Sequence, residues 1–186
     1  MSEITEAYDY SVHQKAEGKW KKKRILLIAI YILIPVAIIG TLMVVAPGAA
    51  PFGFFTPLIT AVAFFFTWGK VNIEHIYSIK AGTVTYSIAE NVTNHRKVKE
   101  VMNFKLKDCT LIAPYTDPQY KAKFDEFGAE TVYDARSSVK AEEVYFAIYT
   151  DDDGKKGAFL FEPTNEMIKR CAFQNREATV KTAVRI

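Results

Sequence analysis

The chain has 186 residues, enough for one ordinary domain, and 49% of them are hydrophobic. Lys and Arg number 24 against 21 Asp and Glu, which gives a net charge of +3. The whole excess lies in the first 70 residues, where four acidic residues are outnumbered by seven basic ones: Lys15, Lys19, Lys21, Lys22, Lys23, Arg24 and Lys70. Because the rest of the chain is neutral in total, its charge argues against a nucleic-acid partner and for attraction to an anionic membrane surface.

The N-terminal segment, residues 1–18, has Ile4, Ala7, Tyr8 and Val12 at helical spacing. This spacing predicts a short amphipathic helix on a membrane surface, with an unstructured polar terminus as the alternative. Together with the basic run that follows, we predict that residues 1–24 form a basic juxtamembrane segment.

Two apolar tracts follow, and neither contains a charged residue: 25–46 and 51–69. As helices they would measure about 33 Å and about 28 Å, close to the hydrocarbon thickness of a bilayer. The first tract is too long for the core of a signal peptide, and a second follows almost at once. We therefore predict a transmembrane helical hairpin over 25–69, with helices at about 25–46 and 52–69. A re-entrant or interfacial second segment is the alternative.

Orientation follows from the basic residues at the two ends of the hairpin. Two prolines and a glycine separate the tracts, so the connection is short and the helices are antiparallel. Lys and Arg flank the hairpin and are absent from its turn, which predicts cytoplasmic N- and C-termini in a multi-pass protein of the cell membrane. We interpret the flanking residues as membrane-interface anchors: Trp20, Lys21, Lys22, Lys23, Arg24, Trp68 and Lys70.

From Val71 onward the pattern changes to a period of two residues, typical of strands. A β-hairpin is predicted with its turn at Ala81-Gly82, followed by strands near 98–106 and 109–113. The stretch 115–140 is predicted as a long loop or a minor helix around 119–127. A second hairpin, 144–149 with 158–161, has Asp-Gly turn chemistry, and a closing helix starts at Thr164 or Asn165.

Six or seven strands and a closing helix in 70–186 predict a PH-like antiparallel barrel or split sandwich. The runs "VNIEHIYSIKAGTVTYSIAENVTNHRKVKEVMNFKLKDCTLIAPY" and "FEPTNEMIKRC" also resemble a domain-of-unknown-function family of short bacterial membrane proteins. The resemblance covers nearly the whole chain. It implies two membrane helices and a C-terminal cytoplasmic PH-like domain.

Chemistry-bearing motifs are scarce in this sequence. It has no phosphate-binding Gly-rich loop and no nucleophile elbow, and its three histidines fall in unrelated contexts. Cys109 and Cys171 stand apart from each other and from histidine, so we predict no metal site and no cofactor. In a reducing cytoplasm they would be small buried hydrophobes, whereas the opposite orientation would permit a disulfide. We expect no catalytic residue and no enzyme.

The sharpest binding candidate is a basic segment at 95–99, predicted as a loop, where Arg96, Lys97 and Lys99 suit phosphate. Our first hypothesis is a non-enzymatic membrane-anchored scaffold that binds an unidentified protein through an exposed edge or loop of its PH-like domain. The second hypothesis is inner-leaflet lipid sensing through those three residues. The third hypothesis is a subunit of a larger membrane complex, and homo-oligomerisation stays open.

Overall fold

A computed structural model describes the backbone of residues 7–92 and 95–182 and the side chains of residues 7–90 and 97–182. Its described residues fall into two compact units. One, the β unit, comprises the chain up to His13, Glu74–Ile88 and the chain from Val98 onward, and the other, the helical unit, comprises Gln14–Ile73 and Ala89–Lys97.

The helical unit contains the two apolar tracts. Helix α1 spans Gly18–Val45, a 3₁₀ turn follows at Pro47–Ala49, and α2 (Ala50–Gly53) and α3 (Thr56–Trp68) form the second leg. The stretches Gly18–Val45 and Pro47–Trp68 are long and apolar enough to cross a membrane. Only 6% of the residues in the most apolar window of each stretch are buried by protein. These helices therefore present their apolar side chains outward, which is unlike the core helix of a soluble domain.

The first sheet has the strand order β1-β2-β3-β4. Its strands are β1 (Tyr8–His13), β2 (Ile73–Lys80), β3 (Thr83–Val92) and β4 (His95–Lys105). The predicted turn between β2 and β3 is confirmed, since Ala81 and Gly82 both have positive φ angles, as a two-residue hairpin of type I′ requires.

Strand β1 corrects the prediction for the N-terminal segment. Tyr8–His13 forms neither a helix nor an unstructured terminus, but pairs antiparallel with β2, with Tyr8 opposite Ile79 and His13 opposite Glu74. Tyr8, Tyr10 and Val12 pack on the core and alternate with exposed residues. The apolar spacing of this segment fits a strand as well as a helix, and pairing with β2 decides between them. The helical hairpin is thus an insertion between two paired strands.

The second sheet has the order β5-β7-β8-β6. Its strands are β5 (Cys109–Pro114), β6 (Thr131–Asp134), β7 (Tyr145–Thr150) and β8 (Lys156–Phe161). Strand β6 runs parallel to β8, and the other pairs are antiparallel. The prediction was an antiparallel barrel or a split sandwich. The strands form two separate sheets, the second of them mixed, so the closed antiparallel barrel is wrong.

Two helices pack against the hydrophobic clusters of the β unit. Helix α4 (Pro118–Phe127) confirms the predicted minor helix, and Phe124 packs edge-on against Phe146 of β7 at 5.1 Å. Helix α5 (Asn165–Gln174) begins as predicted, with the Thr164 hydroxyl accepting a hydrogen bond from the Met167 amide. Its residues Met167, Ile168 and Cys171 are buried in the main core, which is otherwise rich in aromatic rings.

Candidate functional site

The two ends of the helical hairpin are joined by Arg24. Its guanidinium donates through Nε to the Val71 carbonyl and through Nη2 to the Gln14 carbonyl, both at 3.0 Å. The Gln14 amide in turn donates to the Ile73 carbonyl at 3.1 Å. The residue predicted to be one of several surface anchors is thus half-buried and holds together the chain segments that enter and leave the helices.

The other predicted anchors lie on the helix ends. Lys21, Lys22, Lys23 and Lys70 are exposed, and Trp20 and Trp68 are half-buried. The Lys23 ammonium stands 4.6 Å from the centre of the Trp20 ring, and Trp68 packs on Phe64 at 5.0 Å. Basic residues beside amphipathic rings are the composition found at membrane interfaces, but the structure contains no membrane, so their anchoring role stays a prediction.

An apolar groove of about 600 Å³ runs between α1 and α3. Its walls are hydrocarbon and aromatic surface, with Tyr31 and Thr60 as the residues that carry hydroxyls. The Tyr31 hydroxyl is bonded to the Thr67 hydroxyl at 2.9 Å, and Thr60 donates to the Thr56 carbonyl at 3.0 Å. The groove can therefore hold apolar groups, and its own hydroxyls already have partners.

The basic segment 95–99 lies in a strand and not in a loop. Strand β4 begins at His95, and Lys97 and Lys99 are exposed two residues apart, on one face of the strand. The side chain of Arg96 lies outside the described residues. Charged residues occur in an exposed strand as well as in a loop, so the charge run alone could not distinguish the two.

The end of the second sheet offers a different kind of surface. Strand β6 pairs with β8 only, and no other strand of the described chain lies along its outer side. The Ala135 amide donates to the Leu160 carbonyl at 2.9 Å. The Glu130 amide, in the bend before the strand, also donates to β8, at the Lys156 carbonyl (2.9 Å). Within β6, counting back from Ala135 in steps of two places the amide of Tyr133 toward β8 and the amides of Val132 and Asp134 on the outer side. The Val132 side chain is 49% exposed.

Beyond β6 the chain is fixed by an ion pair. Arg136 donates to both carboxylate oxygens of Asp134, at 2.8 and 2.7 Å. Burial acts to raise the pKa of the Asp134 carboxyl, but the hydrogen bonds from Arg136 outweigh it and lower that pKa overall. Strand β6 is thus an edge with outward backbone groups, an exposed Val132 and a fixed end, a geometry that can accept an added strand.

Two buried polar side chains, those of His75 and Tyr86, are in contact in the interior of the β unit. The imidazole Nδ1 of His75 lies 2.7 Å from the Tyr86 hydroxyl, and both residues are 3% exposed. Burial lowers the pKa of His75 to about 4, an effect that the nearby Asp134 carboxylate partly opposes. Burial also raises the pKa of Tyr86. Because the His75 ring is almost fully buried and stacks on the Tyr86 ring at 5.9 Å, we interpret the pair as structural.

Metal and thiol chemistry find no support in the described part of the chain. No group of three or more His, Cys, Asp or Glu residues there could hold a metal ion. Cys109 and Cys171 are free and buried, and burial raises the pKa of both thiols. Both cysteines therefore sit in the core, where the sequence analysis placed them, and their thiols are poorly reactive.

Sequence reasoning missed two of these features. The role of Arg24 leaves no local signal, because a bonded arginine and an exposed one look alike within a basic run. Strand β6 has four residues, and its neighbour β8 lies more than twenty residues later in the chain. Its local signal was a pair of adjacent strand-favouring residues, Val132 and Tyr133.

The comparisons with known proteins concern the whole chain. A family model described as "Bacterial PH-like domain (DUF6106)" matches residues 7–180, a range that includes β1, the helices and both sheets. No curated protein and no solved structure matches significantly.

Proposed function

Because the chain belongs to the bacterial PH-like domain family DUF6106, we propose that it is a non-enzymatic, membrane-anchored binding module. Its helical hairpin crosses the membrane, both termini are cytoplasmic, and the β6 edge pairs with an extended segment of a partner protein. The observation that carries the proposal is the hairpin itself. Two apolar helical stretches, whose residues are almost all exposed on the protein surface, are inserted between the paired strands β1 and β2 of the β unit.

The β6 edge is the surface best suited to a partner. The other edge strands of the two sheets are less accessible to a partner strand. Ile112 of β5 already forms a bridge with Thr179, and β4 carries exposed lysines, which discourage edge pairing. Strand β1 is engaged at its start by the hydrogen bond between the hydroxyls of Tyr8 and Thr164 at 2.7 Å. Strand β6 has no charged residue before Asp134. An added strand could therefore pair with the backbone of Thr131–Tyr133 without approaching a charged side chain of those residues.

Replacing Val132 by proline tests the edge. Proline removes the outward amide hydrogen that an added strand would need, and it leaves the inward bonds of Tyr133 and Ala135 in place. Full-length protein would be purified in mild detergent and its co-purifying proteins identified by mass spectrometry. We expect at least one protein to be retained by the native chain and by Val132→Ala, and to be lost from Val132→Pro.

Val132→Ala is the matched control, because it removes the same side chain but keeps the amide. Thermal unfolding of both variants checks that the fold is intact. If Val132→Pro and Val132→Ala retain the same proteins, the edge is not the binding surface.

The topology has its own test at the turn of the hairpin. In spheroplasts, a cysteine introduced as Ala49→Cys is expected to react with a membrane-impermeant maleimide added from outside, whereas the buried Cys109 and Cys171 stay unlabelled. The starting protein, without the added cysteine, is the control for background labelling. Labelling of Ala49→Cys only after the membrane is opened would contradict the proposed orientation.

The alternative function, lipid sensing by the basic segment, has less geometric support. Lys97 and Lys99 are exposed on one face and could both meet phosphate groups. Exposed lysines on a strand also discourage edge pairing, so they are not a specific sign of a phosphate site. The inner-leaflet lipid hypothesis therefore stays secondary to protein binding at β6.

A further inference from the structure

The groove between α1 and α3 is formed by one stripe of residues on each helix. On α1 the stripe is Ile28, Tyr31, Ile32 and Pro35, and on α3 it is Pro57, Thr60, Ala61, Phe64 and Phe65. Spacings of three and four residues keep each set on one face of its helix. Tyr31 and Phe64 meet edge-on at 5.5 Å and close one side of the groove.

The stripe on α1 continues beyond the groove into basic sequence. Lys21 precedes Ile28 by seven residues, and Ile28 precedes Pro35 by seven, so all three lie on the same face. Since a helix rises 1.5 Å per residue, the groove begins about 10 Å from Lys21 and extends about 10 Å further. The distance from the headgroup of a lipid to the upper part of its acyl chain is of the same size.

The cations near this face differ in what they already contact. Arg24 is held by the carbonyls of Gln14 and Val71, and Lys23 lies over the Trp20 ring. Lys21 is exposed and lies in line with the groove. A positive charge above an apolar groove is complementary to a molecule with a negative head and a hydrocarbon tail.

We propose that this face binds one anionic phospholipid of the bilayer, with its phosphate group at Lys21 and an acyl chain in the groove. This inference rests on the proposed membrane insertion of the hairpin. It assigns lipid recognition to the helices and not to the basic strand β4. An acyl chain is the preferred occupant because the hydroxyls of Tyr31 and Thr60 are already bonded, which leaves apolar walls.

Quenching of Trp68 by brominated lipids tests the site. Trp68 packs on Phe64, a wall of the groove, and Trp20→Phe removes the second tryptophan of the chain. Full-length Trp20→Phe protein would be placed in phosphatidylcholine vesicles that contain equal mole fractions of either mid-chain-brominated phosphatidylglycerol or mid-chain-brominated phosphatidylcholine. We expect an association constant for the brominated phosphatidylglycerol about fivefold above that for phosphatidylcholine, the size of effect that one basic residue supplies.

Three variants in that background separate a site from general attraction. Lys21→Glu and Lys22→Glu change the net charge equally, but only Lys21 lies in line with the groove. Ala61→Phe fills the groove without changing any charge. We expect Lys21→Glu and Ala61→Phe to abolish the preference for phosphatidylglycerol and Lys22→Glu to retain most of it.

Other outcomes overturn the proposal in distinguishable ways. Equal losses in Lys21→Glu and Lys22→Glu would mean surface attraction alone, and a preference that survives Ala61→Phe would mean that the groove is not used. Weak quenching by both lipids, in protein whose Ala49→Cys variant is labelled from outside, would show the groove covered by protein, such as a second copy. Weak quenching without that labelling would overturn membrane insertion as well.

Discussion

Replacement of Gly157 by alanine is expected to lower the free energy of unfolding of the β unit by about 3 kcal/mol. This value is at the upper end of the range for adding a methyl group to a well-packed core. A Cβ at this position would overlap the ring of Tyr149, its cross-strand neighbour. The ring cannot move freely, because it is buried and stacked on Phe104 with ring centres 4.5 Å apart. The measurement is urea unfolding of full-length protein in detergent, followed by near-ultraviolet circular dichroism.

A double-mutant cycle identifies the cause of that loss. Tyr149→Ala is destabilising in its own right because it removes a buried ring. In its presence, Gly157→Ala should cost far less, since nothing then opposes the added methyl group. An undiminished cost in the Tyr149→Ala background would place the strain elsewhere than in this contact.

Acid is expected to destabilise the same unit through His75. Burial lowers the pKa of His75 from 6.5 to about 4, so between these pH values the unfolded chain binds a proton that the folded protein does not. The free energy of unfolding therefore has its full value, as far as His75 is concerned, above about pH 6.5, and it falls as the pH is lowered toward 4. At 1.36 kcal/mol per pKa unit, the full loss is about 3 kcal/mol.

Two variants isolate this contribution. His75→Gln can still hydrogen-bond to Tyr86 but cannot take up a proton, so its unfolding free energy should vary less between pH 4 and pH 6.5. Tyr86→Phe removes the partner hydroxyl and should lower stability at every pH while keeping the slope. The same slope in His75→Gln as in the native chain would assign the acid sensitivity to other groups, such as the carboxylates.

Elements with strong local signals could be predicted from the sequence. The turn at Ala81-Gly82, the Thr164 cap and the apolar face of α5 each depend on residues within a few positions of one another. Their physical causes, positive φ in a short turn and an orphan amide at a helix start, act locally. The two apolar helical stretches could also be predicted, because their length and their lack of charged residues are visible in the sequence itself.

Features set by distant partners were harder to predict. Strand β1 is defined by pairing with β2, and the whole helical hairpin lies between them, so the two strands are not neighbours in sequence. Strand β6 depends on β8 in the same way. At the candidate sites, the sequence located the basic and aromatic residues, but the hydrogen bonds of Arg24 and the outward amides of β6 come from the tertiary arrangement.

The position of the helices between β1 and β2 sets an order of events during synthesis. Tyr8 pairs with Ile79, so the first strand leaves the ribosome well before its partner exists. In the proposed topology both membrane helices are made in that interval, and the edge of β2 is completed only after they have been synthesised. A fragment that starts at Val71 lacks β1 altogether, so it would expose the edge of β2 and be prone to aggregate. The β unit without the helices is therefore better obtained by joining His13 to Glu74 through a short turn than by truncation.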